Sequence, residues 1–170
     1  MSEISIRNYT DADAAAVGIL IADTYSEFNL SFASGENLKA LLGPFAYAHS
    51  TDPAHQQDIV NIVNILYSPM MYVAEVDGEI AGVLRGRKER LASLFVSKQH
   101  HHKGVGRMLV YHFEAESRKL GVKVIRVAAT LYAVDFYAKL GYKKSTGVRN
   151  AWSFGGQGLQ DQPMKKVFSD

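Results

Sequence analysis

The stretch Leu94-Phe95-Val96-Ser97-Lys98-Gln99-His100-His101-His102-Lys103-Gly104-Val105-Gly106-Arg107 joins an apolar run to a polar loop, and then to two glycines that open an amphipathic segment. Residues of these types in this order suit the binding of an anion, phosphate above all. Glycine lets the backbone approach another group closely, because no Cβ intervenes. The first N–H groups of a helix lack partners within it and point along a dipole that favours negative charge. Lys98, Lys103 and Arg107 add positive charge around that point. The plainer alternative is a strand-to-helix turn with solvated basic residues.

Two nucleotide-binding patterns can be tested on the letters. A dinucleotide fingerprint needs a third Gly or Ala where Leu109 stands, and an acidic ribose partner after the next strand, which ends at Val127-Ala128 without one. A P-loop needs Gly-Lys-Ser/Thr, and none is present. Both fail. The run His100-His101-His102 invites a metal reading, but three consecutive histidines cannot easily turn their rings to one ion. No Cys or acidic ligand lies near in sequence, so no metal is expected. A solvated loop carrying partial positive charge beside phosphate is the expectation for His101 and His102.

The elements that must position this segment can be read from pattern. Ile4 to Arg7 alternates as a strand, and Thr10 is a plausible cap for a helix reaching about Tyr25. The region from Phe28 to Pro53 is irregular, with a short helix near 36–42. A longer helix runs from about Ala54 to Tyr67, capped by Asp52 or Thr51 and stopped by Pro69. Met71 to Val76 and Ile80 to Arg87 are strands joined by Asp77-Gly78, a strong hairpin turn. Leu91 to Val96 is a further strand. Residues 104–120 form the clearest helix, with Val105, Met108, Leu109, Phe113 and Leu120 on one face and Gly121 as its cap. Val122 to Ala129 is a strand and Ala133 to Leu140 a short helix. Tyr142 to about Phe154 and Met164 to Phe168 read as a closing antiparallel pair around Gly155-Gly156-Gln157-Gly158.

A length of 170 residues with 47% hydrophobic residues fits one domain with a sizeable core. The net charge of +2 is too small to argue for nucleic acid or a membrane surface. Absence of cysteine excludes disulfides and thiolate chemistry. The opening MSEISIRNYT has no apolar signal region, and no apolar run approaches a bilayer span. The expectation is a cytoplasmic protein with no nucleic-acid or membrane partner.

His101-His102-Lys103-Gly104-Val105-Gly106 resembles the Arg/Gln-x-x-Gly-x-Gly/Ala pyrophosphate signature of the GNAT superfamily of N-acetyltransferases. Ala133-Val134-Asp135-Phe136-Tyr137-Ala138-Lys139-Leu140-Gly141-Tyr142 is similar to that family's Ala-x-x-Phe-Tyr-x-x-x-Gly-Phe helix. The resemblance covers residues from about 71 to 168. It implies a mixed α/β fold (α+β type) over 1–170. The fold would have a central, mostly antiparallel sheet, flanking helices, and a parallel strand pair that splays around residues 97–121. The function implied is transfer of an acetyl group from acetyl-coenzyme A, as co-substrate, to a primary amine.

The same resemblance assigns roles. Leu94, Phe95 and Val96 would pair with pantetheine from a bulged strand. His101, His102, Lys103, Gly104, Val105, Gly106 and Arg107 would cradle pyrophosphate, with Ala133 and Phe136 also against the cofactor. Tyr137 would protonate the departing thiolate, for which a phenol has the right acidity; packing on the sheet is its other reading. The Val96 N–H would polarise the carbonyl. Departures are His101 for Arg or Gln, Ala128 for an Asn that bonds pantetheine, and no Glu on the strand before Val96. No base is visible: Glu27, His49 and Glu75 are open candidates. Tyr25, Phe28, Phe32 and Trp152 could line an acceptor pocket, though such aromatics are more often core. The acceptor is a small-molecule or peptide amine, and a homodimer stays open. The competing reading is a non-catalytic acyl-coenzyme-A-binding or sensing module.

Overall fold

Alternation within Met70–Val76 decides where the sheet sits. Met70, Tyr72, Ala74 and Val76 face one buried apolar cluster, while Met71 and Val73 face another. A strand covered on both faces must lie at the centre of a layered structure. The computed structural model describes residues 3–151 and 159–169. Its strands are β1 (Ile4–Asn8), β2 (Met70–Val76), β3 (Glu79–Arg87), β4 (Arg90–Val96), β5 (Val124–Thr130), β6 (Lys143–Lys144), β7 (Arg149–Ala151) and β8 (Leu159–Val167). Its α-helices are α1 (Ala14–Thr24), α2 (Gly35–Leu42), α3 (Pro53–Ile65), α4 (Val105–Lys119) and α5 (Val134–Lys139).

The strands form one 8-stranded sheet in the order β1-β2-β3-β4-β5-β8-β6, with β7 also on β8. Every pairing is antiparallel except β4 with β5. This is the mixed fold that the sequence leads one to expect. Asp77 (φ 53°) and Gly78 (φ 84°) both take the left-handed conformation that a two-residue hairpin needs. Asp52 caps α3 by accepting from Ala54 N–H at 2.9 Å. No helix among the described residues is long and apolar enough to cross a membrane.

Helices α1, α2 and α3 cover one face of the sheet through Val17, Leu20, Leu41, Ile59 and Val63. Helix α4 covers the other, and a glycine sets its distance from β3: a Cβ on Gly86 would lie 2.6 Å from Phe113 Cε2. Phe113 and Leu109 are wholly buried there. The buried residues of α4 are Val105, Leu109, Val110, Phe113, Glu114 and Ser117, so the expected inclusion of Met108 and Leu120 is corrected. Both flank these residues and are exposed, at 37% and 55%. The closing pair is also corrected. Strand β8 begins at Leu159, upstream of Met164, and its partner is broken into β6 and β7. The expected glycine turn lies outside the described residues.

Candidate active site

β4 and β5 pair only at Arg90–Arg126 and Leu91–Val127, and beyond that they part. Two features force this. Opposite Arg85 and Gly86 of β3 stand Ser93 and Leu91, so Ala92 is an extra residue that bulges β4. β5 meanwhile follows β8 through all of its length, from Val124 to Thr130. The gap opens into a groove of about 1300 Å³.

The edge that β4 turns to this gap carries unpaired backbone. Ser97 N–H bonds Ala81 O at 2.9 Å, while Val96 stands opposite Gly82. Hydrogen-bonded and non-bonded pairs alternate along an antiparallel ladder, so the N–H and C=O of Val96 point away from β3; the C=O is taken by His101 Nε2–H, and the N–H is left toward the gap.

Helix α4 begins in the same gap. Gly104 caps it at φ 89°, and the first helical hydrogen bond is Met108 N–H to Gly104 O, 2.9 Å. The N–H groups of Val105, Gly106 and Arg107 therefore precede the ladder and face an opening flanked by Lys103 and Arg107. A Cβ on Gly106 would come within 3.3 Å of Phe136 Cζ, so the cradle is walled by the helix that carries Tyr137. This arrangement fits a pyrophosphate: free amides, a helix dipole, adjacent cations and a backbone stripped of Cβ atoms.

Tyr137 lies on α5, across the gap from Val96. It lines the groove and is only 5% exposed. Its ring packs edge-on against Phe136 and Tyr142, with centroids 5.0 and 5.5 Å away. Burial pushes its pKa well above the usual phenol value, with a smaller contribution from Tyr132. It is a neutral hydroxyl, able to donate.

The three histidines disperse. His100 Nδ1 pairs with Ser97 Oγ at 2.7 Å. His101 turns back to the strand end, where its Nε2–H donates to Val96 O at 2.8 Å. Its ring lies on Phe28, 4.6 Å between centroids. Expected beside phosphate, the side chain of His101 stands instead against Val96 O and Phe28. His102 takes φ 59° as the loop turns. Among the described residues no group of three or more His, Cys, Asp or Glu could hold a metal ion.

Leu94, Phe95, Val96, residues 101–107, Ala133, Phe136 and Tyr137 all line this one groove, and Lys98 does not. Tyr25 and Phe28 line it too. They are brought there because α1 continues into a π turn, Tyr25–Asn29, closed by Leu30 N–H to Tyr25 O at 3.0 Å. Phe32 points elsewhere and is 61% exposed; Trp152 lies outside the described residues. The three candidate bases do not line the groove. Glu75 is held by Arg7 at 2.6 Å, His49 by Asp23 at 2.5 Å, and Glu27 pairs with Lys98.

Sequence reasoning passed over Thr24, Asn29, Tyr132, Ser93 and Arg85, all on the groove wall. Arg85 carried a readable signal: it is a cation inside Ile80-Ala-Gly-Val-Leu-Arg-Gly86, where its neighbours are buried. Its Nη1 donates to Leu66 O at 3.2 Å. Burial, and then the nearby Arg87, lowers its pKa.

A family profile described as an acetyltransferase (GNAT) domain matches residues 56–168. A search of curated proteins found no significant match. Among solved structures the chain is similar to a GCN5-related N-acetyltransferase from Rhodopseudomonas palustris. The TM-score is 0.76 at 20% identity, over 99% of this chain and 98% of that one. It is similar also to the PaiA N-acetyltransferase from Thermoplasma acidophilum, solved in complex with coenzyme A. Here the TM-score is 0.72 at 17% identity, over 98% and 99% of the two chains. A third is YncA from Salmonella typhimurium, solved with its cofactor acetyl-CoA, at TM-score 0.62 and 20% identity over 99% and 96%. At such identities the likeness is one of fold.

Proposed function

Because this chain belongs to the acetyltransferase (GNAT) family, we propose that it moves an acetyl group from acetyl-coenzyme A to a primary amine by direct attack on the thioester. One observation carries the reading. The free amides at the start of α4, the outward-turned edge of Val96 and the hydroxyl-bearing Tyr137 border a single gap between β4 and β5. Phosphate, pantetheine and a departing thiolate each meet a suitable group there.

Acetyl-coenzyme A, when bound, supplies the acetyl group as an activated thioester. The amides of residues 102–107 hold the pyrophosphate, and Leu94, whose backbone faces the gap, pairs with the pantetheine arm; Phe95, expected to pair as well, has its backbone turned to Val83. The Val96 N–H donates to the carbonyl oxygen as charge develops on it. Tyr137 gives its proton to the sulfur. His101 receives the proton that the amine loses. Its Nε2–H is committed to Val96 O, which leaves Nδ1 as the accepting nitrogen. The proton that His101 gains balances the one that Tyr137 gives, and exchange with solvent restores both residues.

An acceptor screen that follows release of free coenzyme A, with the mass of the acetylated product, tests the proposal. Release that depends on an amine supports it. Saturable binding of acetyl-coenzyme A with no release for any amine would leave a binding module in its place.

A further inference from the structure

The groove has two halves, and they differ in charge. In the half beside α4 and α5, Lys103, Arg107 and Lys139 stand near the phosphate cradle. The other half lies beneath the N-terminal helices, where Ile21, Val63, Leu66, Val83 and Phe95 make an apolar wall. Among the described residues no Asp or Glu lines the groove in either half. A polycation would find nothing there to replace its water, which disfavours acceptors with several positive charges.

Among the described residues the apolar half holds one charged side chain, Arg85. It shares the sheet face of Val83 and stands opposite Ser93 across the β3–β4 ladder. A guanidinium has five N–H donors, and among the described residues Arg85 spends one of them, on Leu66 O. Among the described residues no carboxylate pairs with it. Arginine fits a carboxylate or phosphate through two parallel hydrogen bonds, and a half-buried cation without a counter-ion is costly unless a ligand provides one.

We infer that the acceptor amine carries an anionic group at its far end, which Arg85 binds while an apolar spacer crosses the wall of Val63, Leu66 and Val83. The inference rests on the transferase reading and adds a substrate class to it. It also sets a length. Ser93, opposite Arg85, is three residues from Val96, where the reacting carbonyl sits, and three residues of strand span roughly 10 Å. An extended chain of that reach between amine and anion matches the groove.

Aminooctanoate, octylamine, octanediamine and aminooctyl phosphate share one spacer and differ at the far end. They should be compared as acceptors for the unmutated protein and for Arg85→Gln, which keeps a donor for Leu66 O. The expected result is a clear preference for the anionic pair. Arg85→Gln should then raise KM for that pair by roughly 10–100-fold. KM for octylamine and affinity for coenzyme A should stay unchanged. The ratio of carboxylate to phosphate names the natural anion. Equal use of all four amines, with Arg85→Gln silent, would overturn the inference and leave the transferase reading standing. If no amine is acetylated, calorimetry of aminooctanoate on the coenzyme-A-saturated protein decides separately. Binding that Arg85→Gln abolishes supports an anion site, and binding indifferent to Arg85, or none, overturns it.

Discussion

Gly106 presents its Cα to the ring of Phe136, so closely that a Cβ would lie 3.3 Å from Cζ of that ring and 3.5 Å from Val96 Cγ2. The start of α4, the end of β4 and the helix bearing Tyr137 thus meet at one residue without a side chain. Gly106→Ala asks the ring to give by a few tenths of an ångström and should be tolerated. Gly106→Val must push Phe136 aside and fill the cradle. We expect it to weaken coenzyme A binding by about tenfold or more, which is about 1.4 kcal/mol. Calorimetry on the two variants measures the difference.

Gly104 fails differently when replaced. No heavy atom lies nearer to its missing Cβ than Arg107 Nη2 at 3.5 Å, but its φ is +89°. The cost of a side chain there is backbone strain, ~1–2 kcal/mol. Relief of that strain would re-aim the amides of the loop. Gly104→Val should abolish measurable coenzyme A binding while most of the fold survives. Gly104→Asn should be milder, since Asn visits the left-handed region. Unchanged affinity for Gly104→Val would mean that the phosphates are held elsewhere.

Arg7 holds Asp13 through two hydrogen bonds of 2.8 Å and Glu75 through a third group of contacts, at the opposite edge from the groove. The bonds from Arg7 are the largest influence on the Asp13 carboxyl and, with that from Thr10 N–H, hold its pKa below the usual value. A depressed pKa means stability that is present above the unfolded value of about 3.9 and is lost as pH falls through the folded one. Asp13→Asn should lower stability by about 1–3 kcal/mol at neutral pH. The gap between variant and parent should close as the pH is taken into the acid range. Denaturant titrations at several pH values would check both.

Much of this site was legible because its parts are local. The loop from Val96 to Arg107 and the helix from Ala133 to Gly141 are continuous stretches whose residue types report their own conformations. The hairpin at Asp77-Gly78 is of the same kind. What was not legible depends on contacts distant in sequence. Arg85 reaches the groove only because β3 lies beside β4 and under α3. The ring of His101 lies on Phe28, which a π turn following the apolar run of α1 brings against it. The exposure of Met108 and Leu120 follows from which flank of α4 the sheet covers, and helical spacing alone cannot say that.

His101 separates two roles that the sequence left together. A phosphate ligand would matter for binding, whereas a proton acceptor beside Val96 would matter for turnover. His101→Ala should lower kcat by about 10²-fold, at the low end for a general base, and leave coenzyme A affinity nearly unchanged. A loss of affinity with kcat preserved would return the ring to the phosphates.

Tyr137→Phe tests the other proton. Phenylalanine keeps the ring and its contacts with Phe136 and Tyr142, and removes only the hydroxyl. Burial raises the pKa of Tyr137, so the phenol stays protonated through neutral and mildly alkaline pH. The unmutated enzyme should therefore show no loss of rate from this residue in that range. A general acid contributes ~10²–10⁴-fold, and a thiolate is a fairly good leaving group, so the expected fall in turnover is at or below the low end. It should appear in kcat and kcat/KM alike, because the proton is needed only as the carbon–sulfur bond breaks. Coenzyme A affinity should be nearly the same in both proteins. Undiminished turnover in the Phe variant would take Tyr137 out of the mechanism and leave sulfur to be protonated by solvent.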